Sequence, residues 1–341
     1  MVVALGLLLL GTAAWGFFTS RRRIPGVFLL LLLLPGVLLA FLAGRAGEAD
    51  PGRGLVAVTQ SPYGDLRIVD LDETRHLLID GGIHSTVDIP TGTTHHLYTA
   101  VMELPRYFFH GGGKVLLIGL GGGSLAQLYA NAGWTVHAVE LDGEVARLAR
   151  EYFGLKPEHA EISLMDGRQY LAGTKETYDV ILLDAFGSSS IPYHLTTVEA
   201  FALASSRLAE EGLCAVNIEA VGWRDPLVGM IGGTLQQVFP HVLALPMAEP
   251  PDRLGNVILL ASRRPLDPVR EPERNDAEDP NWRFGPGYAR VHAWDNAFLP
   301  VRGGLPLLTD DRNPVDVHAE SVNRSARAAL HRYFGGRVAT W

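Results

Sequence analysis

The stretch Lys114–Asp142, KVLLIGLGGGSLAQLYANAGWTVHAVELD, constrains this chain more than any other. Lys114–Leu120 is a short apolar run rich in branched residues, as expected of a strand buried on both faces. Gly119, Gly121, Gly122 and Gly123 crowd its end. Glycine permits turns with positive φ and lets backbone approach a ligand closely. From Ser124 the spacing is helical, with Leu125 and Leu128 on one face. Thr135–Val139 reads as a second strand, and Glu140 stands at its carboxyl end. In an open parallel sheet that edge faces the ligand crevice. An acid there, roughly 20 residues beyond a glycine turn, can accept both hydroxyls of a ribose. The stretch therefore predicts a nucleoside site.

The same alternation continues. Helix Glu144–Tyr152, strand Glu161–Met165, strand Tyr178–Leu183, helix Val198–Leu208 ending at Gly212, strand Leu213–Ile218 and helix Leu227–Phe239 follow in order. Alternating strands and helices imply a parallel sheet with helices on both faces. Two further strand-like runs, His241–Leu245 and Asn256–Ala261, flank a Pro-rich loop and read as a closing hairpin on the sheet edge. Such a hairpin distinguishes methyltransferase-like sheets from dehydrogenase ones. Upstream, Leu55–Ile89 alternates apolar and polar residues between turn signals, and predicts an antiparallel sheet of three or four strands. Thr91–Leu104 reads as a helix capped by Thr93 or Thr94, with Leu97, Val101 and Leu104 as its buried stripe. Pro265–Trp282 is charged and Pro-rich, a loop by composition, and Ala319–Tyr333 reads as a last helix.

Hydrophobic residues make up 47% of the 341 and charged residues only 19%, and the excess sits at the start. Val2–Phe18 and Ile24–Ala43 are almost wholly apolar, and Arg21, Arg22 and Arg23 lie between them. Each run approaches the roughly 20 residues that cross a bilayer as a helix. The expectation is a two-helix membrane hairpin and a multi-pass location in the cell membrane. The arginines favour the cytoplasmic side for themselves, which would put the rest outside. A nucleoside made in the cytosol argues the reverse, for a cytoplasmic catalytic domain. The expected division is 1–45 transmembrane hairpin, 46–110 small β domain with a connecting helix, 111–264 Rossmann-like catalytic domain and 265–341 C-terminal extension. A net charge of −8 argues against nucleic acid as a partner.

Asp166-Gly167 and Asp184 stand at the ends of successive strands beside the glycine turn. One division of labour gives an acid to the adenine amino group and an acid to the reaction centre. No metal is expected. His95 and His96 are adjacent and would face different ways on a helix, and no H-E-x-x-H or C-x-x-C accompanies them. There is no Walker motif and no Gly-x-Ser-x-Gly elbow.

These residues resemble the spermidine synthases, or polyamine aminopropyltransferases. Leu78-Ile79-Asp80-Gly81-Gly82-Ile83-His84 resembles the family's L-x-L-D-G-x-x-Q, Val115–Gly123 its V-L-I-I-G-G-G-D-G, and Val139-Glu140-Leu141-Asp142 its V-E-I-D. Asp166-Gly167 matches the pair near the adenine, and Asp184 the first acid of the family's D-S-S-D. The resemblance implies a methyltransferase-like α/β fold. It also implies that decarboxylated S-adenosylmethionine is the co-substrate and a small amine the acceptor, and that Asp184 is the base. It implies that Gly119, Gly121, Gly122, Gly123, His84, Glu140, Leu141, Asp166 and Gly167 hold the nucleoside, with Tyr98, Tyr193 and His194 on the substrate side. Ile191-Pro192-Tyr193-His194-Leu195 and Leu308-Thr309-Asp310-Asp311 look more like the family's membrane-linked branch. A homodimer is a further expectation.

The departures bear on the substrate. The aspartate inside the family's glycine run, which holds the amine of the donor, falls on Gly122. The second acid of D-S-S-D falls on Gly187, the Gln on His84, and the Tyr-Gln pair on Leu97-Tyr98. Two alternatives therefore stay open. One is a methyltransferase using intact S-adenosylmethionine, for whose carboxylate Gly122 leaves room. The other is a membrane-tethered module that binds a nucleoside without turnover.

Overall fold

The computed structural model describes residues 54–185, 192–247, 251–266 and 285–335. The expected hairpin 1–45, residues 46–53 of the expected β domain, residues 186–191 and most of Pro265–Trp282 lie outside the described residues. Among the described residues no helix is long and apolar enough to cross a membrane. The expected multi-pass membrane location is withdrawn on that finding.

The first sheet comprises β1 (Leu55–Gln60), β2 (Asp65–Leu71), β3 (Thr74–Ile79) and β4 (Gly82–Asp88), paired in that order and all antiparallel. Local chemistry sets its turns. Asp80 and Gly81 have φ of 48° and 77°, the positive pair that a tight two-residue hairpin needs. Thr91–Leu97 is not helical. Asp88 Oδ1 accepts from the N–H and hydroxyl of Thr91, Gly92 turns with φ of 71°, and Thr94 bridges back to Val87. Side-chain and bridge bonds thus outcompete the helix there. The helix that remains, α1 (Tyr98–Met102), has Leu97 at its N-cap and no side-chain cap. Pro105 lies in the first turn of a 3₁₀ helix, Leu104–Phe108. Val101 and Leu104 are buried as expected.

The main body alternates β5 (Lys114–Ile118), α2 (Ser124–Asn131), β6 (Thr135–Glu140), α3 (Gly143–Tyr152), β7 (Glu161–Leu164), α4 (Gly167–Gly173), β8 (Tyr178–Leu183), α5 (Val198–Ser206), β9 (Leu208–Val221), α6 (Pro226–Leu235), β10 (His241–Pro246) and β11 (Leu254–Ser262). Its seven strands lie in the order β10-β11-β9-β8-β5-β6-β7. β5 to β9 are parallel, and β10-β11 is the antiparallel hairpin expected at the edge. β9 starts at Leu208, five residues before the expected start at Leu213. Gly212 does not end a helix. It lies where the register against β8 slips between Tyr178 and Val180, an irregularity that glycine tolerates.

Two helices were not foreseen. α4 is capped by Asp166, whose carboxylate accepts from Gln169 N–H. α7 (Pro286–Asp295) buries only small residues, Gly287, Ala289 and Ala293, and so carries no strong apolar stripe. The last helix, α8 (Val315–Phe334), starts earlier than expected because Asn313 Oδ1 accepts from Val315 N–H.

The first sheet is clasped on both faces. Leu66, Ile68, Leu77 and Val87 pack on Val145, Leu148 and Phe153 of the α3 region, and Leu55, Val69, Leu71 and Leu78 pack on Leu330 and Phe334 of α8. Burial of these apolar surfaces fixes the sheet beside the carboxyl ends of β5 and β6. This Rossmann-like fold with an N-terminal antiparallel sheet agrees with the sequence expectation.

Candidate active site

A cavity of about 370 Å³ opens at the carboxyl edge of the parallel strands. At its centre is the glycine turn. Gly119 has φ of 91°, and a Cβ there would stand 2.4 Å from the Asp184 carbonyl oxygen, so only glycine lets the ends of β5 and β8 close on each other. Glu140 ties the turn to β6. Its Oε2 accepts from Leu120 N–H and its Oε1 from Asp142 N–H, each at 2.9 Å. Burial pushes the Glu140 carboxyl up, and these backbone N–H groups pull it the other way. Gly119 and Gly121 line the cavity together with Glu140 and Leu141. Gly122 and Gly123 do not. Gly122 donates its N–H to Ser85 Oγ at 2.7 Å, and Gly123 is the left-handed N-cap of α2 against Leu155.

One side of the cavity holds Asp166, Gly167 and His194. A Cβ on Gly167 would stand 2.4 Å from Ile118 Cγ2, so this glycine seats α4 against the end of β5. Asp166 Oδ2 pairs with His194 Nε2 at 2.8 Å. The 3₁₀ turn Tyr193–Leu195 is pinned from outside the cavity. Arg168 donates to the His194 carbonyl at 2.9 Å and pairs with Asp310, and Asn313 Nδ2 donates to the Tyr193 carbonyl at 2.7 Å. That gives the Thr309-Asp310-Asp311 region a structural task. The Tyr193 ring is 56% exposed and lines no part of the cavity.

The other side holds Asp184. Tyr98 donates its hydroxyl to Oδ2 at 3.0 Å, and Asn217 Nδ2 donates to Oδ1 at 2.8 Å. Burial pushes the Asp184 carboxyl up to about 7 against the pull of these two bonds. Burial and the adjacent Asp184 hold the Tyr98 hydroxyl protonated, well above its ordinary range. Glu219 also lines the cavity, and burial pushes it up to about 7. His84 and His96 complete the wall. Each has a buried Nε2 with no partner among the described residues, and burial lowers each to about 4, so both are neutral at pH 7.

The fold thus gathers His84, Tyr98, Gly119, Gly121, Glu140, Leu141, Asp166, Gly167, Asp184 and His194 into one cavity, and leaves Gly122, Gly123 and Tyr193 out of it. Asn217, Glu219, Asn256 and His96 line it without having been foreseen. Glu219 carried a readable signal, an acid just past the expected strand Leu213–Ile218, the same signal that marked Glu140 and Asp184. Asn256 carried none, since its place depends on strand pairing. Among the described residues no group of three or more His, Cys, Asp or Glu could hold a metal ion.

The spermine/spermidine synthase domain matches residues 94–266, just over half of the chain. A probable polyamine aminopropyl transferase of Bifidobacterium longum is 25% identical over 283 residues, which cover 76% of this chain and 60% of that one. The polyamine aminopropyltransferase of Vibrio vulnificus is 39% identical over 112 residues, 30% of this chain and 37% of that one. The chain therefore spans less than two thirds of the length of either relative. The spermidine synthase of Thermotoga maritima superposes with a TM-score of 0.56 at 22% identity, covering 70% of this chain and 83% of that one, a likeness of fold. The comparisons give a family and no branch within it, and neither a homodimer nor a membrane tether gains support from them.

Proposed function

The chain belongs to the spermine/spermidine synthase family, and from that premise we propose that it transfers an aminopropyl group from decarboxylated S-adenosylmethionine to a small amine. The observation that carries this reading is Asp184. It is a cavity carboxylate with an ionisation near 7, beside the glycine turn and bonded to Tyr98 and Asn217. In this reading Glu140 accepts from the ribose hydroxyls, and Asp166 faces the adenine amino group. Asp184 takes the proton from the acceptor amine. The freed nitrogen attacks the carbon next to the sulfonium. The C–N bond forms as the C–S bond breaks, the electron pair goes to sulfur, and methylthioadenosine leaves as a neutral thioether. A general base must be ionised to act and works best near its operating pH, which a carboxyl at about 7 satisfies.

Glu219 is assigned the second, cationic amine of the acceptor. It supplies a cavity carboxylate to a chain in which the two positions where the resemblance places further acids, 122 and 187, are glycine. The boundaries near 110 and 264 are kept as the proposed limits of the catalytic domain. Asp184→Asn is the test. Turnover should fall by about 10²–10⁴-fold, while methylthioadenosine affinity changes little. With labelled donor, methylthioadenosine and S-adenosylhomocysteine are followed separately. Release of the latter alone, or undiminished turnover by the variant, defeats the reading.

A further inference from the structure

We propose that Asn256 is a positioning residue for Asp184, acting through Asn217 by setting which end of the Asn217 amide faces the carboxyl group. The inference rests on the reading of Asp184 as the base.

The strand register builds the relay. Asn217 and Glu219 are two apart on β9, so they share a face of the sheet. Asn256 on β11 is the antiparallel partner of Glu219 and shares that face. Asn256 Nδ2 donates to Asn217 Oδ1 at 3.0 Å, and Asn217 Nδ2 donates to Asp184 Oδ1 at 2.8 Å. Three residues from β11, β9 and the end of β8 thus form one chain of hydrogen bonds. Asn217 is only 3% exposed, so its amide must be satisfied by these neighbours.

An amide presents nearly the same outline either way round, with a donor at one end and an acceptor at the other. An ionised carboxylate only accepts, so it requires the Nδ2 end of Asn217. A protonated carboxyl can donate, so it tolerates the Oδ1 end. Asn256 holds Asn217 Oδ1 and keeps the donor turned towards Asp184. The relay therefore favours the ionised base. Tyr98 from α1 also donates to Asp184, and Glu219 from β9 lines the same cavity. His84 and His96 line the same cavity and are neutral above about 4.

Asn256→Asp preserves size and removes the donor. Asn217 must then turn its Nδ2 towards position 256 and its Oδ1 towards Asp184. The test titrates Asp184 by carbon NMR in the full chain labelled at aspartate Cγ, with the signal identified by its loss in Asp184→Asn. Asn256→Asp should move the midpoint from about 7 to about 8 or above. The added charge alone would also raise it, so the substitution is repeated in an Asn217→Ala background, where it should move the midpoint less than half as far. Equal movement in both backgrounds, or none in either, overturns the proposal. The unmutated chain gives an independent reading. The side-chain amide signals of Asn217 and Asn256 should both follow the Asp184 titration. An Asn256 amide that ignores it overturns the proposal even if the variants fail to fold. Should the NMR midpoints shift as expected while the pH profile of methylthioadenosine release does not follow them, the relay stands and the assignment of Asp184 as base fails.

Discussion

Gly122 donates its N–H to Ser85 Oγ at 2.7 Å, and a Cβ built on Gly122 would stand 3.0 Å from Ser85 Cβ and from Phe153 Cδ1. The place where the family resemblance puts an acid is therefore filled by the wall between the first sheet and α3. The space that the sequence left for a donor carboxylate is taken as well.

Gly122→Asp should for this reason not create a donor-amine site. Phe153 is packed in an apolar cluster, and Ser85 is held by its bond to the Gly122 N–H, so both can give only slightly. Overpacking of this kind destabilises by about 1–3 kcal/mol. Thermal melting should show a lower Tm, and Gly122→Ala should lower it too. A folded Gly122→Asp with unchanged Tm and tighter binding of decarboxylated S-adenosylmethionine would refute this account of the glycine.

Glu140→Gln should weaken methylthioadenosine binding by about ten- to a hundredfold, the worth of one charge-assisted hydrogen bond. The carboxylate already accepts from Leu120 and Asp142 N–H. An amide offers one acceptor where two are in use, so the glycine turn should also loosen. Calorimetry measures the affinity, and hydrogen exchange at the Leu120 amide measures the turn. Wild-type affinity in the variant would rule out Glu140 as the ribose ligand.

Asp184 and Glu219 should contribute stability that the ligand-free protein loses as pH rises from about 4 to about 7. The buried histidines His76, His84 and His96, each lowered to about 4, oppose this below about 6.5. Burial raises Asp184 and Glu219 each to about 7, whereas in the unfolded chain both ionise near 4. At these two groups the folded state holds more protons between those values, so their contribution is present below about 4 and lost as pH climbs through 7. Melting curves from pH 5 to pH 8 should show the Tm of the unmutated chain falling relative to that of the double variant Asp184→Asn, Glu219→Gln. Removing both carboxyls should make the dependence of Tm on pH more positive. An unchanged slope would mean that neither carboxyl holds its proton in the folded state.

What the sequence by itself determined is what depends on neighbours along the chain. The run from Lys114 to Asp142 encodes strand, turn, helix and strand within a single βαβ unit, so Gly119 and Glu140 were legible from spacing alone. The same rule, an acid at a strand end, marked Asp184 and would have marked Glu219. Local competition defeated the pattern elsewhere. Asp88 captures Thr91 and dissolves the first two turns of the expected Thr91–Leu104 helix. Only the tertiary structure decided the rest of the cavity. Asn256 reaches Asn217 because β11 returns antiparallel to β9 in one register out of many, 39 residues away along the chain. Tyr98 reaches Asp184 across 86 residues because α1 packs against the sheet. Gly122 is excluded from the cavity because Phe153 and Ser85 arrive there from two other elements. Such contacts are set by the burial of whole apolar faces, a property of the assembled layers that no short stretch of sequence carries.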